Sequence, residues 1–212
     1  MRELSLHVLD LRQNALEAGA TEIALRIEED SRTDRLELEV ADNGRGISPE
    51  FVNEVTNPFV TSRTSRRVGL GLPLLKQAAE RCGGGLTIES TPGVGTKVKA
   101  TFQLSHIDRA PLGNMADTLL SVILQEPPVV LRYRHRVDDR WFEFDTAAMA
   151  AELGDVPFSY PAAIRWLCEY LAEGFAYVYG GNADAQSAIN GGAAPSQGRG
   201  AEVNQGSARY GD

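Results

Sequence analysis

The sequence contains little cysteine and no long hydrophobic run. Its two cysteines, Cys82 and Cys168, stand far apart, with no further Cys or His at metal-site spacing, so neither a zinc site nor a disulfide framework is expected. No segment reaches the roughly 18 to 20 apolar residues of a membrane-spanning helix. The start of the chain, residues 1–7, lacks the apolar stretch of a signal peptide. These absences predict a cytoplasmic protein with reduced thiols and no membrane partner.

Positive charge is also scarce in this chain of 212 residues. There are 21 Lys and Arg residues against 29 Asp and Glu residues, which gives a formal net charge of −8 at pH 7. Surfaces that bind nucleic acid or anionic lipid need an excess of positive charge, so the composition disfavours both partners. An anionic ligand must therefore be held by a local site. The hydrophobic content of 42% is that of an ordinary globular protein.

Composition and pattern divide the chain into three parts. Residues 1–104 alternate helical and strand patterns, and residues 105–179 predict a small appended α/β domain. In residues 180–212, Gly, Ala, Ser, Asn and Gln dominate. Such a segment cannot bury enough apolar surface to offset its ordering entropy, so a disordered tail is predicted, with a partner-binding segment as the alternative.

The predicted elements of the first part give its fold class. Apolar residues recur at helical spacing from Leu4 to Ala18, and Gly19 ends this predicted helix. Strands are predicted over 21–28, 36–40, 86–89 and 96–104, with helices from Ser48 and over 72–81. Helices and strands in this order predict an α+β two-layer sandwich. In the appended domain, helices are expected over 115–124 and 161–173, and strands over 129–136 and 141–144.

One face of the first helix carries a polar stripe. His7, Asp10, Asn14 and Glu17 are separated by 3, 4 and 3 residues, so their side chains lie on the same face. Such a stripe is usually a solvated surface. The motifs that follow along the chain favour a functional interpretation.

Two glycine-rich turns follow predicted strands. In the first, Asp42 offers a carboxylate that only accepts hydrogen bonds, while Gly44 and Gly46 allow a flat ligand to approach the backbone. An exocyclic amine would suit this arrangement, although a simple turn is the alternative. The second turn, from Pro92 to Thr96, is typical of a hairpin.

A third glycine motif stands before the helix predicted at 72–81. Gly69, Leu70, Gly71 and Leu72 lead into a helix N-terminus, where free backbone N–H groups and the helix dipole favour phosphate oxygens. Just upstream, residues 61–67 contain Arg63, Arg66 and Arg67 and no acidic residue. Guanidinium groups bind polyanions well, so this segment predicts a polyanion site. A solvated basic loop and a phosphorylated segment are the alternatives.

Together, these motifs resemble the GHKL superfamily, which comprises DNA gyrase, heat-shock chaperone ATPases, histidine kinases and mismatch-repair MutL. The resemblance covers about residues 1–104 and implies the Bergerat ATP-binding fold. The stretch from Asp10 to Thr21 resembles the family's N-box, with an ending similar to that of MutL. Asp42 to Gly46, Gly69 to Leu72, and Gly93 to Thr96 resemble the first, second and third glycine boxes.

The resemblance implies ATP and Mg²⁺ as ligands and a role for each box. Asn14 would coordinate Mg²⁺, Asp42 would accept the adenine amino group, and Thr96 would support that contact through water. Gly69 and Gly71 would face the phosphates beneath a lid over residues 57–68. The lid's arginines, Arg63, Arg66 and Arg67, would be candidates for the γ-phosphate.

The position four residues before the Mg²⁺ asparagine distinguishes the subfamilies. Glu stands there in gyrase and MutL, whereas this chain has Asp10, which is one methylene shorter and would act as general base only with help from backbone or water. His106 and His135 lack the phosphoacceptor context of a histidine kinase, so both are expected to be structural or surface residues.

These features lead to one functional hypothesis with two alternatives. The first is an ATP·Mg-binding regulatory protein whose lid closes on ATP and changes how the appended domain contacts a partner protein. The alternatives are a protein kinase that acts in trans on a partner's Ser, Thr or His, and a MutL-like ATPase switch in which hydrolysis resets a homodimer. The whole chain resembles stand-alone ATP-binding proteins of anaerobic bacteria, sometimes encoded beside iron hydrogenase genes, which implies a hydrogenase- or signalling-related partner.

Overall fold

A computed structural model describes residues 3–52, 71–126 and 128–180. The predicted lid over 57–68, with Arg63, Arg66 and Arg67, lies outside these residues. So do Gly69, Leu70 and the predicted tail from residue 181 onward. Within the described ranges, no helix is both long and apolar enough to cross a membrane.

Six helices and six strands are present in the described residues. The helices are α1 (Leu4–Glu17), α2 (Pro49–Val52), α3 (Gly71–Arg81), α4 (Met115–Ile123), α5 (Thr146–Leu153) and α6 (Pro161–Val178). The strands are β1 (Glu22–Asp30), β2 (Arg35–Asp42), β3 (Gly85–Thr91), β4 (Gly95–Gln103), β5 (Val130–Val137) and β6 (Arg140–Asp145). The predicted elements therefore all form, and α5 is one that the sequence analysis missed.

The six strands form one mixed sheet in the order β3-β4-β2-β1-β5-β6. Only the β1–β5 pair is parallel, and the other neighbours are antiparallel. Alternate residues are buried, such as Ile23, Leu25 and Ile27 on β1, while the residues between them are more exposed. One sheet face is therefore buried beneath helices, as in antiparallel sheets with one solvated face, which confirms the predicted α+β fold.

The sheet continues across the sequence-predicted boundary at residue 104. Strand β5 pairs with β1 from Glu22↔Val130 to Glu29↔Val137, so the later strands extend the same sheet. Buried side chains from α1, α4 and α6 and from strands β1, β2, β4, β5 and β6 form a single hydrophobic cluster. The division into an ATP-binding part and an appended part stays a prediction about function.

A buried polar network fastens the end of α6 to the sheet. The Tyr179 hydroxyl donates to Glu29 Oε1 at 2.5 Å, and His135 Nε2 lies 3.0 Å from the same oxygen. The Tyr133 hydroxyl is 3.0 Å from His135 Nδ1. Both ring nitrogens of His135 therefore have a partner, Glu29 at Nε2 and Tyr133 at Nδ1. His135 is thus a buried structural residue.

Candidate functional site

Three polar side chains stand in one row across the end of the sheet. In the strand register, Ser90 on β3 pairs with Thr96 on β4, and Thr96 pairs with Asp42 on β2. Opposed residues on neighbouring strands point to the same face. Because Val40 and Val98, two residues further along, are buried in the core, the row lies on the helix-covered face.

The Asp42 carboxylate is half-buried at the centre of this region. The Gly44 backbone N–H donates to its Oδ1 at 2.8 Å, and the Thr96 backbone N–H also donates to the carboxylate. Burial raises the pKa of Asp42, although the donors from Gly44 and Thr96 oppose this rise. The ionised carboxylate has acceptor capacity left for a further donor.

Glycines let the surrounding backbone close in on Asp42. A Cβ at Gly44 would lie 2.8 Å from both Ala18 Cβ and Asp42 Oδ1. A Cβ at Gly95 would collide with the Asp42 carbonyl oxygen. Gly46 has φ +69°, a backbone conformation that favours glycine. The predicted first and third glycine boxes therefore meet around one carboxylate.

Asn43 ties this loop to the end of the first helix. Its Oδ1 accepts the backbone N–H groups of Thr21 and Glu22, each at 2.9 Å, and its Nδ2 donates to Thr21 Oγ1. The Arg45 backbone N–H donates to the Ala18 carbonyl at 3.0 Å. These bonds hold the end of the predicted N-box beside the first glycine box.

Helices α1 and α3 meet at Asp10 and Gly71. A Cβ at Gly71 would lie 2.8 Å from Asp10 Cβ and 3.0 Å from Asp10 Oδ2, so the absence of a side chain at Gly71 lets the helices approach. Burial raises the pKa of Asp10. Asn14 follows one turn later on the same helix face. The structure therefore places the N-box beside the N-terminus of α3.

His7, one turn before Asp10, is buried rather than solvated. Its side chain is 4% exposed, and its Nδ1 has no hydrogen-bond partner among the described residues. Burial lowers the pKa of His7 from 6.5 to about 4, so the ring is neutral at pH 7. The polar stripe therefore runs from the buried His7 through the half-buried Asp10 and Asn14 to the exposed Glu17.

The structure brings together most of the predicted site residues that it describes. Asp42, Gly44 and Thr96 lie together, Gly46 packs against the backbone of Thr91, and Asp10 and Gly71 meet at another point. Leu72 instead packs in the core, at 5% exposure. Two residues of the site were not predicted from the sequence: Ser90, whose hydroxyl accepts from the Ile47 N–H at 2.7 Å, and Asn43, which holds the loop to residues 21 and 22.

The described residues fit ATP and Mg²⁺ in three respects. Asp42 provides an acceptor for an amine, the N-terminus of the 11-residue helix α3 favours negative charge, and the N-box stands beside that N-terminus, where Asp10 meets Gly71. Asn14 offers one amide oxygen of the hard type that Mg²⁺ prefers. An ion held there would take its other ligands from phosphate and water oxygens.

Comparison with known families identifies a similarity over the first half of the chain. Residues 2–106 match the family described as histidine kinase-, DNA gyrase B-, and HSP90-like ATPase. This range contains every residue of the site described above.

Similar proteins include kinases from several bacteria. Sensor histidine kinase DcuS of Escherichia coli is 37% identical over 94 residues, covering 42% of this chain and 16% of that protein. Sporulation kinase D of Bacillus subtilis is 35% identical over 98 residues, covering 46% and 19%. The non-motile and phage-resistance protein of Caulobacter vibrioides is 32% identical over 111 residues, covering 48% and 13%. The chain thus spans less than a fifth of each of these relatives.

Proposed function

Because this chain belongs, through residues 2–106, to the histidine kinase-, DNA gyrase B- and HSP90-like ATPases of the GHKL superfamily, we propose that it is an ATP·Mg-binding regulatory protein. ATP binding closes the predicted lid over 57–68 and changes how residues 105–179 contact a partner protein. We place this activity in the cytoplasm, where ATP is available.

The meeting of the boxes around Asp42 and Gly71 is the observation that carries this proposal. Asp42 accepts from the adenine amino group, because its half-buried carboxylate has acceptor capacity left after its bonds to Gly44 and Thr96. Gly71 and the α3 N-terminus face the phosphates. Asn14 holds Mg²⁺, which neutralises phosphate charge when it is bound.

The sheet offers a path from this site to the proposed partner surface. Strand β1 pairs with β2, which carries Asp42, and also with β5 of the proposed partner-binding part. Helix α1, which carries Asp10 and Asn14, packs against α4. The backbone N–H groups of Leu4 and Ser5 donate to the carbonyls of Pro111 and Leu112 at 2.9 and 2.8 Å. These contacts support a coupling between ATP and residues 105–179.

A protein kinase acting in trans is the second candidate, and the position of Asp10 favours it. Its carboxylate stands beside Gly71 at the α3 N-terminus, where the phosphates are proposed to lie. The raised pKa of this half-buried carboxyl brings it closer to that of an effective general base. A base at this position would take the proton from an attacking hydroxyl, imidazole or water, so a MutL-like ATPase would use the same residue.

Labelled γ-phosphate separates these functions. The full-length protein is incubated with γ-labelled ATP, Mg²⁺ and the proteins that co-purify with it. We expect nucleotide to be bound and retained, and a partner to be captured only in its presence. Label on a partner would favour the kinase, and released phosphate would favour the ATPase. Asp10→Asn should abolish either output, with Asp139→Asn, an exposed loop residue, as the matched control.

A partner captured equally with and without ATP would contradict the regulatory proposal. Wild-type protein that neither binds nor consumes ATP would contradict all three functions.

A further inference from the structure

Ser90, in the same row of the sheet as Thr96 and Asp42, makes three hydrogen bonds through its hydroxyl. Its Oγ accepts the Ile47 backbone N–H at 2.7 Å, donates to the Gly95 carbonyl oxygen at 3.0 Å, and lies 2.9 Å from Thr96 Oγ1. Two of these partners have fixed roles, since a backbone N–H only donates and a carbonyl oxygen only accepts. The direction of the third bond follows from them.

A serine hydroxyl has one hydrogen and two lone pairs. The hydrogen of Ser90 goes to the Gly95 carbonyl, and one lone pair accepts from Ile47. Only a lone pair remains for the Thr96 hydroxyl, so Thr96 must donate to Ser90. The Thr96 hydroxyl then has lone pairs but no hydrogen for any other partner.

The Thr96 side chain is next to Asp42 in the same row. With the Thr96 hydrogen directed to Ser90, the Thr96 hydroxyl and the Asp42 carboxylate can both only accept hydrogen bonds from a ligand. A ligand group beside Thr96 and Asp42 must therefore be a hydrogen-bond donor. An intervening water that gives its hydrogens to Thr96 and Asp42 would turn only lone pairs toward the ligand, so the requirement is the same with or without water.

We propose that Ser90 is a positioning residue for nucleotide specificity: it fixes the Thr96 hydroxyl as an acceptor, so that the row of Ser90, Thr96 and Asp42 selects a 6-aminopurine over a 6-oxopurine. This inference rests on the proposed ATP site. The amino group of adenine donates at position 6, whereas the oxygen of hypoxanthine or guanine accepts and would face acceptors. A site that leaves buried polar groups unpaired discriminates strongly against the wrong ligand.

The test compares the affinities of the full-length protein for ATP and inosine triphosphate, which differ at position 6 of the base. In Ser90→Ala the Thr96 hydroxyl is free to rotate and donate, so we expect the preference for ATP to fall roughly 3- to 10-fold, the effect of about one hydrogen bond. Ser90→Thr keeps a hydroxyl and should retain the wild-type preference. Ser121→Ala, which removes a serine hydroxyl from α4, is the matched control.

A double variant isolates the route through Thr96. In Thr96→Val the target hydroxyl is absent, so adding Ser90→Ala should leave the ratio of the two affinities unchanged. If Ser90→Ala alone fails to fold, Thr96→Val by itself serves, because it removes the acceptor that Ser90 orients and should lower the preference for ATP by a similar factor.

Two results would overturn the inference, and they are distinguishable. If Ser90→Ala weakens both nucleotides equally and keeps the wild-type ratio, Ser90 is only structural, while the ATP site itself stands. If the wild-type protein binds neither nucleotide, the proposed function and this inference fail together.

Discussion

Asp42 is the residue whose ionisation should be visible in ATP binding. Burial raises the pKa of its carboxyl above 3.8, against the donors from Gly44 and Thr96, so it protonates at a higher pH than an exposed aspartate does. The protonated form has less acceptor capacity for the adenine amino group. We therefore expect ATP affinity to fall on acidification, beginning above the ordinary aspartate range.

Calorimetric titration at a series of pH values checks this prediction. Asp42→Asn is the control. It should bind ATP more weakly, and its affinity should still depend on the ionisation of the ATP phosphates but no longer on that of the Asp42 carboxyl. Equal pH dependence in both proteins would show that the carboxyl does not contact the base.

His7 should make the fold sensitive to mild acid. Its pKa is lowered to about 4 by burial, from 6.5, so between these values the unfolded chain binds more protons than the folded one. The free energy of unfolding should thus fall as the pH drops from 6.5 toward 4. His7→Leu removes both this dependence and a buried Nδ1 without a partner, and should gain about 1 kcal/mol at pH 5.5.

Urea unfolding at pH 7 and pH 5.5 measures the difference. His106→Gln, which removes a histidine from a loop, is the comparison variant. A His7→Leu protein that loses stability with acid as steeply as the wild type would refute the assignment.

At the scale of elements, the turn from α3 into β3 depends on Gly84. A Cβ there would collide with the Thr101 carbonyl oxygen, whereas a Cβ at Gly85 would meet nothing within 4 Å. Gly84→Ala should therefore cost about 2 kcal/mol or more, because backbone must shift, while Gly85→Ala should be nearly neutral. Chemical denaturation of the pair checks this, and equal effects would contradict the close approach of this turn to β4.

Helix α6 should depend on its polar anchor. Burial alone raises the pKa of Glu29, but donors from His135 and Tyr179 outweigh it and lower that pKa. In Tyr179→Phe, the carboxylate loses its 2.5 Å donor, so we expect a loss of about 1 to 3 kcal/mol in unfolding free energy. Tyr160→Phe, at an exposed tyrosine, should change little. Thermal unfolding that is the same in both variants would argue against the anchor.

The spacing of apolar residues predicted most helices and strands, because a segment that buries one face repeats its apolar residues with the period of a helix or a strand. It missed α5, which begins directly after β6: Asp145 ends that strand and also caps the helix by accepting from the Ala147 N–H at 2.7 Å. No turn residue separates the two elements, so the capping Asp145 is the one signal of the boundary between them.

For the candidate site, too, local sequence patterns did not predict contacts between segments that are distant in the chain. Asp42, Thr96 and the glycines were predicted from motifs whose residues are near in sequence. Ser90 was not, because its role arises only when β4 pairs with both β3 and β2, which brings Thr96 and Ile47 against its hydroxyl. Likewise, the parallel pairing of β1 with β5 joins residues more than 100 positions apart and leaves no periodic signal in either strand.

At the scale of the whole molecule, one sheet joins the proposed ATP site to the segment expected to bind a partner. Asp42 ends β2, β2 pairs with β1, and β1 pairs with β5. In a chain with net charge −8, the polyanion is proposed to lie at one place, where the N-box meets the N-terminus of α3. Everything else proposed for this protein depends on that site.

Isothermal titration with ATP·Mg²⁺ tests the proposed ATP site around Asp42 most directly. The wild-type protein should bind at one site, Asp42→Ala should lose at least about tenfold in affinity, as expected for a hydrogen bond to a charged group, and Asp139→Ala should bind as the wild type does. Unchanged affinity in Asp42→Ala, or no binding by the wild type, would contradict the assignment of this carboxylate as the centre of an ATP site.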